Sequence, residues 1–349
     1  MKLQVVCRGS VQEGLGHLLR TRTFARHAAP EHDLEVVAIV EPELENLLAG
    51  LACRVRFVRS DAAALECLRA FEPDALMFDT TRFDPGLMDD AASAGFLVGS
   101  ISPVFEHLAR MDVVFTRTRR NASLGSARVY GGLQYAIFND YCQAIDDASY
   151  ERSLGRKELP IGVCMGGADA ANKTLIVLQA LAGLVEPTTI WVLLGEGYAH
   201  SYNQLVDAVR CDSRHEIILA KANRSMWQIL GNCALGVMAG GLTTVEAVYA
   251  GLPTINVFER VEHAAMLTEL FEAGVCLNGG LMSGRSLEPA AAAVRRLSAD
   301  RAELRAMRGR TRGLVDPLGP VRVLREIEQA VLQKALRGRR GAATEVAHA

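Results

Sequence analysis

The sequence predicts an α/β protein built of two doubly wound, Rossmann-like domains. Three observations point there. The chain has 349 residues, more than one hydrophobic core organises, so two domains of roughly 150 residues each are expected. Short apolar runs alternate with helical patterns along the whole length, the arrangement that covers parallel sheets with helices. In each half a strand runs into a glycine pair that opens a helix, the turn at which open α/β sheets bind ligands.

The elements follow in order. Lys2–Cys7 reads as a first strand and His17–Ala28 as a helix, with Leu18, Leu19, Thr23 and Phe24 at helical spacing. Leu34–Val40 is strand and Asp61–Phe71 helix; Ala75–Phe78, Phe96–Ser100 and Val113–Thr116 are strands. The polar stretch Asn139–Lys157 reads as the exit from the first domain. The pattern then repeats. Leu159–Met165 is strand, Asn172–Leu184 helix, Thr189–Leu194 and Glu216–Leu219 strands, and Arg224–Asn232 helix. Leu235–Met238 is strand, Thr243–Ala250 helix and Thr254–Val257 strand. Ala291–Leu314 and Val321–Leu336 read as long helices. Domains are expected over residues 1–157 and 158–318, with a C-terminal helix over 319–337 and a frayed tail over 338–349.

Composition excludes several classes. The formal net charge is −2, without the clustered Lys and Arg that phosphate backbones require, so no nucleic-acid partner is expected. Eight cysteines are scattered singly with no CxxC pair, which suits neither a metal cage nor a disulfide framework and fits reduced thiols in a cytoplasm. No secretory signal pattern opens the chain. Apolar segments break well short of the ~20 residues that span a bilayer. No cofactor and no metal ligand set is expected.

Three motifs carry chemistry. Gly14-Leu15-Gly16-His17 lies between the first strand and its helix. The glycines let backbone approach an anion at a helix start, and a histidine at position 17 is a residue type suited to general-base work at neutral pH; a capping or core histidine is the other reading. Ala239-Gly240-Gly241-Leu242-Thr243-Thr244-Val245-Glu246, closed by Gly251-Leu252-Pro253, runs from strand into helix. Gly240, Gly241 and the hydroxyls of Thr243 and Thr244 can hold a diphosphate at the positive helix end. Glu246, one turn further, can accept two hydrogen bonds from a ribose, or form a capping box with Thr243. Gly166-Gly167-Ala168-Asp169 ends the strand that opens the second half. It offers either a phosphate contact or a tight turn with Asp169 as helix cap.

These motifs together resemble the GT-B glycosyltransferase superfamily, including the bacterial lipid II-forming transferase. The sequence is more similar still to the sugar-nucleotide hydrolase family of pseudaminic acid biosynthesis and the related spore-coat polysaccharide proteins. The resemblance runs nearly the whole chain. It takes in Arg8, Arg20 and Asp79, Gly132-Leu133-Gln134-Tyr135-Ala136, and Asp316-Pro317-Leu318-Gly319-Pro320-Val321-Arg322-Val323. It implies two Rossmann-like domains facing a cleft, with the C-terminal helix returning to the first. It further implies His17 as the base that activates water against the anomeric carbon of a UDP-linked amino or deoxy sugar, in the making of surface polysaccharide or glycoconjugate sugars. Gly240, Gly241, Thr243 and Thr244 would hold the diphosphate and Glu246 the ribose; Gly14, Gly16, Arg8, Gly166 and Gly167 would line the substrate, with Asp79, Tyr135 and His263 completing the candidates. Arg8-Gly9-Ser10 replaces the family's Arg-x-Asp, Asp79-Thr80-Thr81 its Asp-His-Tyr, and Asp316-Pro317 its Asp-Gly. These departures fall on the sugar and acceptor side. Hydrolysis is therefore the leading expectation, followed by metal-independent transfer to another acceptor and by binding without catalysis; an epimerase of the same fold is also open.

Overall fold

The structure, a computed structural model, describes residues 1–10, 13–86, 88–89, 95–118, 124–210, 214–221, 226–282 and 287–346, with side chains up to residue 337 except that of residue 210. Arg224 and Ser225 of the expected helix, Cys211, and the end of the tail at 347–349 lie outside the described residues. The chain forms two compact units: Met1–Ser10, His17–Ile137 and Pro317–Ala349 make the first, and Val11–Gly16 and Phe138–Asp316 the second.

The first unit is a seven-stranded sheet in the order β3-β2-β1-β4-β5-β6-β7. Its strands are β1 (Lys2–Gly9), β2 (Asp33–Val40), β3 (Arg54–Val58), β4 (Ala75–Asp79), β5 (Leu97–Ser100), β6 (Val113–Thr116) and β7 (Arg128–Gly131), all paired in parallel. Strands covered on both faces need apolar side chains throughout, and Leu3–Cys7 and every residue of β4 are buried. Helix α1 (Gly16–Ala28) follows β1, and α2 (Asp61–Phe71) follows β3. Ala64, Leu65, Leu68 and Phe71 form the buried stripe of α2, and the Ser60 hydroxyl caps it by accepting from Ala63 N at 3.2 Å.

The C-terminal helix, Gly319–Val346, belongs to this unit and continues past residue 337, where the sequence pattern ends it. A Cβ on Gly319 would lie 1.9 Å from the Ala136 carbonyl oxygen, so only glycine permits this approach. Arg322 donates to Gln134 O at 3.0 Å, and Lys334 to Phe96 O at 2.8 Å and Asp112 Oδ2 at 2.9 Å.

The second unit is a six-stranded parallel sheet in the order β10-β9-β8-β11-β12-β13. Its strands are β8 (Leu159–Cys164), β9 (Thr188–Leu194), β10 (Glu216–Lys221), β11 (Leu235–Ala239), β12 (Thr254–Phe258) and β13 (Cys276–Leu281). The main segment of the unit begins at Phe138, whereas the sequence pattern starts the second domain at residue 158; the polar stretch between is knitted into its core. Ile145 N donates to Ala250 O at 2.9 Å, Tyr150 OH to Ala234 O at 3.1 Å, and the buried Arg308 to Gly251 O at 2.6 Å. The Arg308 guanidinium also lies 4.4 Å from the centre of the Tyr150 ring. The helix expected over Ala291–Leu314 is two, Glu288–Ala299 and Arg301–Thr311; Asp300 breaks it and caps the second, accepting from Ala302 N at 3.1 Å and Glu303 N at 3.2 Å.

Candidate active site

In the first unit, sheet register brings Asp79, the last residue of β4, beside Cys7 near the end of β1. The helix fed by β1 then presents His17, Arg20 and Thr21. That i, i+3, i+4 spacing puts three side chains on one face, and all three converge on the fully buried Asp79 carboxylate. His17 Nδ1 lies 2.7 Å from Oδ1, Arg20 Nε 3.1 Å from Oδ1 and 3.0 Å from Oδ2, and Thr21 Oγ1 donates to Oδ2 at 3.1 Å; Arg20 Nη2 also bonds Oδ1. Burial by itself would push this carboxyl upward. The Arg20 charge and the His17 hydrogen bond outweigh it and hold Asp79 at about 2.

His17 Nδ1 has two neighbours, the ionised Asp79 at 2.7 Å and Arg20 Nη2 at 2.9 Å. In the tautomer that donates from Nδ1 to Asp79, the neutral imidazole carries its lone pair on Nε2. The His17 side chain keeps 14% of its surface exposed while Asp79 keeps none. A histidine so oriented can take a proton at Nε2 while Asp79 stabilises the resulting cation. Arg117, just beyond β6, adds a partly buried positive charge near Arg20; burial first, and repulsion from Arg20 second, lower its pKa to about 10, so it remains a cation.

Other candidates of the first unit have different employment. Arg8 pairs with Asp61, whose second oxygen accepts from Asp84 N at 2.8 Å, so it braces two loops. Tyr135 donates to Glu326 of the C-terminal helix at 3.3 Å and packs on Phe115 and Tyr130, which makes it a helix anchor. Gly14, which takes a positive φ of 90°, and Gly16, which opens α1, lie in the Val11–Gly16 segment counted with the second unit.

In the second unit, β11 runs into Gly240-Gly241 and the helix Leu242–Ala250. The two glycines serve different ends. A Cβ on Gly240 would strike the Phe258 ring at 1.9 Å, so this glycine is required by packing. Gly241 has a negative φ of −105° and nothing within 4 Å of a Cβ, so its bareness keeps space open before the helix. The N-cap position of that helix is Gly241, which has no side chain to cap it, and not Thr243. The capping-box reading of Thr243 with Glu246 is therefore set aside. Thr243 is half-buried at the helix start, whereas Thr244 is fully buried and donates to Asn256 Oδ1 at 2.6 Å. This corrects the expectation that both hydroxyls face a diphosphate: the second closes an internal bond to the neighbouring strand. Glu246 is 5% exposed, and its Oε1 accepts from Asn139 N at 3.2 Å. Burial pushes its pKa up to about 7 against that hydrogen bond.

The turn after β8 is built otherwise. Gly166 takes φ +98°, and Gly167 O accepts from Gly197 N at 2.9 Å. Asp169 takes the amides of Lys173 and Thr174 at 2.8 and 2.9 Å, so the helix Lys173–Ala182 already has its anion. His263, on the short helix Val261–Ala265 after β12, has its pKa lowered by burial first and by the Arg260 charge second. Sequence reasoning missed Thr21, Arg117, Asn139 and Asn256. Only Thr21 had a signal, its position four residues after His17 on the same helix face.

No known protein family matches the chain. An uncharacterized protein of Methanocaldococcus jannaschii is 22% identical over 283 residues, covering 74% of this chain and 56% of that protein, so the chain spans about half its relative's length. Among solved structures, MurG of Acinetobacter baumannii superposes with a TM-score of 0.65 at 16% identity, over 94% of this chain and 100% of that one. HepE of Anabaena in complex with UDP gives 0.64 at 14%, over 95% and 100%. The UDP-GlcNAc 2-epimerase of Neisseria meningitidis bound to UDP-GlcNAc gives 0.63 at 10%, over 94% and 100%. The fold is that of GT-B enzymes, two parallel-sheet Rossmann-like units. No helix among the described residues is long and apolar enough to cross a membrane.

Proposed function

We propose that the protein hydrolyses a nucleotide-linked sugar, with His17 as the base. The observation that supports this reading is the 2.7 Å Asp79–His17 pair: with the imidazole proton on Nδ1 toward Asp79, Nε2 is the atom that works as base. The water oxygen attacks the anomeric carbon, and its proton passes to His17 Nε2. The bond from that carbon to the diphosphate oxygen breaks, and the electron pair leaves with the nucleoside diphosphate. The helix start behind Gly241, with the Thr243 hydroxyl, relieves the charge on the leaving diphosphate. Glu246 takes the ribose hydroxyls. UDP is the favoured nucleotide because two of the similar structures hold UDP or a UDP-sugar.

A panel of nucleotide sugars followed by NMR tests this. Free sugar and free UDP should form with no acceptor added. His17→Ala should lose roughly 100- to 10,000-fold in rate while UDP affinity changes only a few-fold. Turnover that requires an added acceptor would make the protein a transferase, and accumulation of an isomerised nucleotide sugar would make it an epimerase. A near-wild-type rate in His17→Ala would remove the histidine from the chemistry.

A further inference from the structure

The turn after α1 and the C-terminal helix meet, within the first unit, at a cluster the proposed chemistry does not use. His32 N donates to Ala28 O at 3.1 Å and closes the turn before β2. Val323, Leu324, Ile327 and Ala330 are the buried stripe that seats the C-terminal helix, and Glu328 sits on its flank. One ligand atom each from Glu31, His32 and Glu328 lies within 4.8 Å of the other two.

The histidine is the informative member. Its side chain is only 6% exposed, and both ring nitrogens are sealed from solvent without a hydrogen bond. An imidazole buried in this way costs free energy unless something engages it. Nε2 stands 3.3 Å from Glu328 Oε1. A charge-assisted hydrogen bond is shorter, about 2.7–2.9 Å. Two ligands on one tetrahedral zinc, each bound at about 2.0–2.1 Å, lie about 3.3–3.4 Å apart. Two carboxylates and one imidazole also match zinc in charge and in ligand type, since magnesium and calcium prefer oxygen alone.

We propose that Glu31, His32 and Glu328 form a zinc site, with water completing the coordination, that fastens the returning C-terminal helix to the first unit. The ligands are two neighbours and one residue near the far end of the chain, so no spacing rule finds them in the sequence.

The test uses the full chain, stripped with EDTA, dialysed and titrated with zinc chloride by calorimetry beside thermal melts. The wild type should bind a single zinc, and at a hundredfold excess over Kd its Tm should rise by about 5 °C; magnesium should give no rise. Glu328→Gln and His32→Asn should each abolish the rise. Glu328→Gln changes a half-exposed group and should melt near the wild type when metal-free, so loss of the rise there cannot be misfolding. A wild type that gains nothing from zinc, the outcome for a plain His32–Glu328 ion pair, overturns the proposal, as does a rise that survives in both variants.

Discussion

Asp79 is held at about 2 while Glu246 is pushed to about 7, and environment makes the difference. Both are buried. Asp79 has a guanidinium, an imidazole and a hydroxyl around it, whereas Glu246 Oε1 accepts from the Asn139 amide. The pH consequence of Glu246 has a definite sign. Between 4.5, its unperturbed value, and about 7 the folded chain keeps a proton that the unfolded chain releases. Stability from this group is complete below 4.5, falls as pH rises through 7 and levels off above. The linkage is worth about 3 kcal/mol. Glu246→Gln keeps the shape without the titration. Relative to wild type its stability should therefore improve by about that amount between pH 4.5 and 8, read by denaturant unfolding at several pH values. An unchanged difference across the range would mean the carboxyl does not titrate there. The same ionisation bears on the ribose, since a carboxylate accepts two hydrogen bonds where the acid accepts fewer. UDP affinity of the wild type should accordingly rise with pH through about 7, and calorimetric titration of Glu246→Gln should show weaker UDP binding at pH 8.

At the scale of elements, helix starts separate structure from function. Ser60 caps α2, Asp169 caps Lys173–Ala182 and Asp300 caps Arg301–Thr311, whereas Leu242–Ala250 starts at a bare glycine. Gly241→Ala should fold normally, because φ is negative and the Cβ meets nothing within 4 Å, yet it should weaken UDP binding by filling the space before the helix. Melting should stay within about 1 kcal/mol of wild type. Unchanged UDP affinity would move the diphosphate elsewhere. The buried strands β1, β2, β4, β8, β11 and β12 were legible as apolar runs, and so were the glycine turns after β8 and β11, the second of which is where the diphosphate is proposed to bind. Of the edge strands, β10 was legible as Glu216–Leu219, whereas β3, β7 and β13 were not. β3 (RVRFV) and β7 (RVYG) carry arginines on exposed positions, and β13 (CLNGGL) has two glycines and an irregular register with β12. The inward turn of Thr244 was equally hidden, since its partner Asn256 lies on the next strand.

At the scale of the molecule, the chain leaves the first unit at Ile137 and re-enters it at Pro317. The two segments beside those points, Gly132–Ala136 and Gly319–Val323, carry motifs that resemblance attached to the sugar-nucleotide enzymes. They pack on one another through Gly319 against Ala136 and Arg322 on Gln134 O. Their pattern therefore records how the first unit is closed, which is why Tyr135 belongs to the C-terminal helix. The working residues are left in two groups, His17 with Asp79 in the first unit and the Gly241 helix start with Glu246 in the second. The central claim is that a base in the first group drives water onto the sugar's anomeric carbon. Turnover of a UDP-sugar in ¹⁸O-labelled water, with both products weighed by mass spectrometry, tests it most directly. The account predicts one labelled oxygen in the free sugar and none in UDP. Label on the terminal phosphate of UDP, or no sugar released unless an acceptor is supplied, would contradict it.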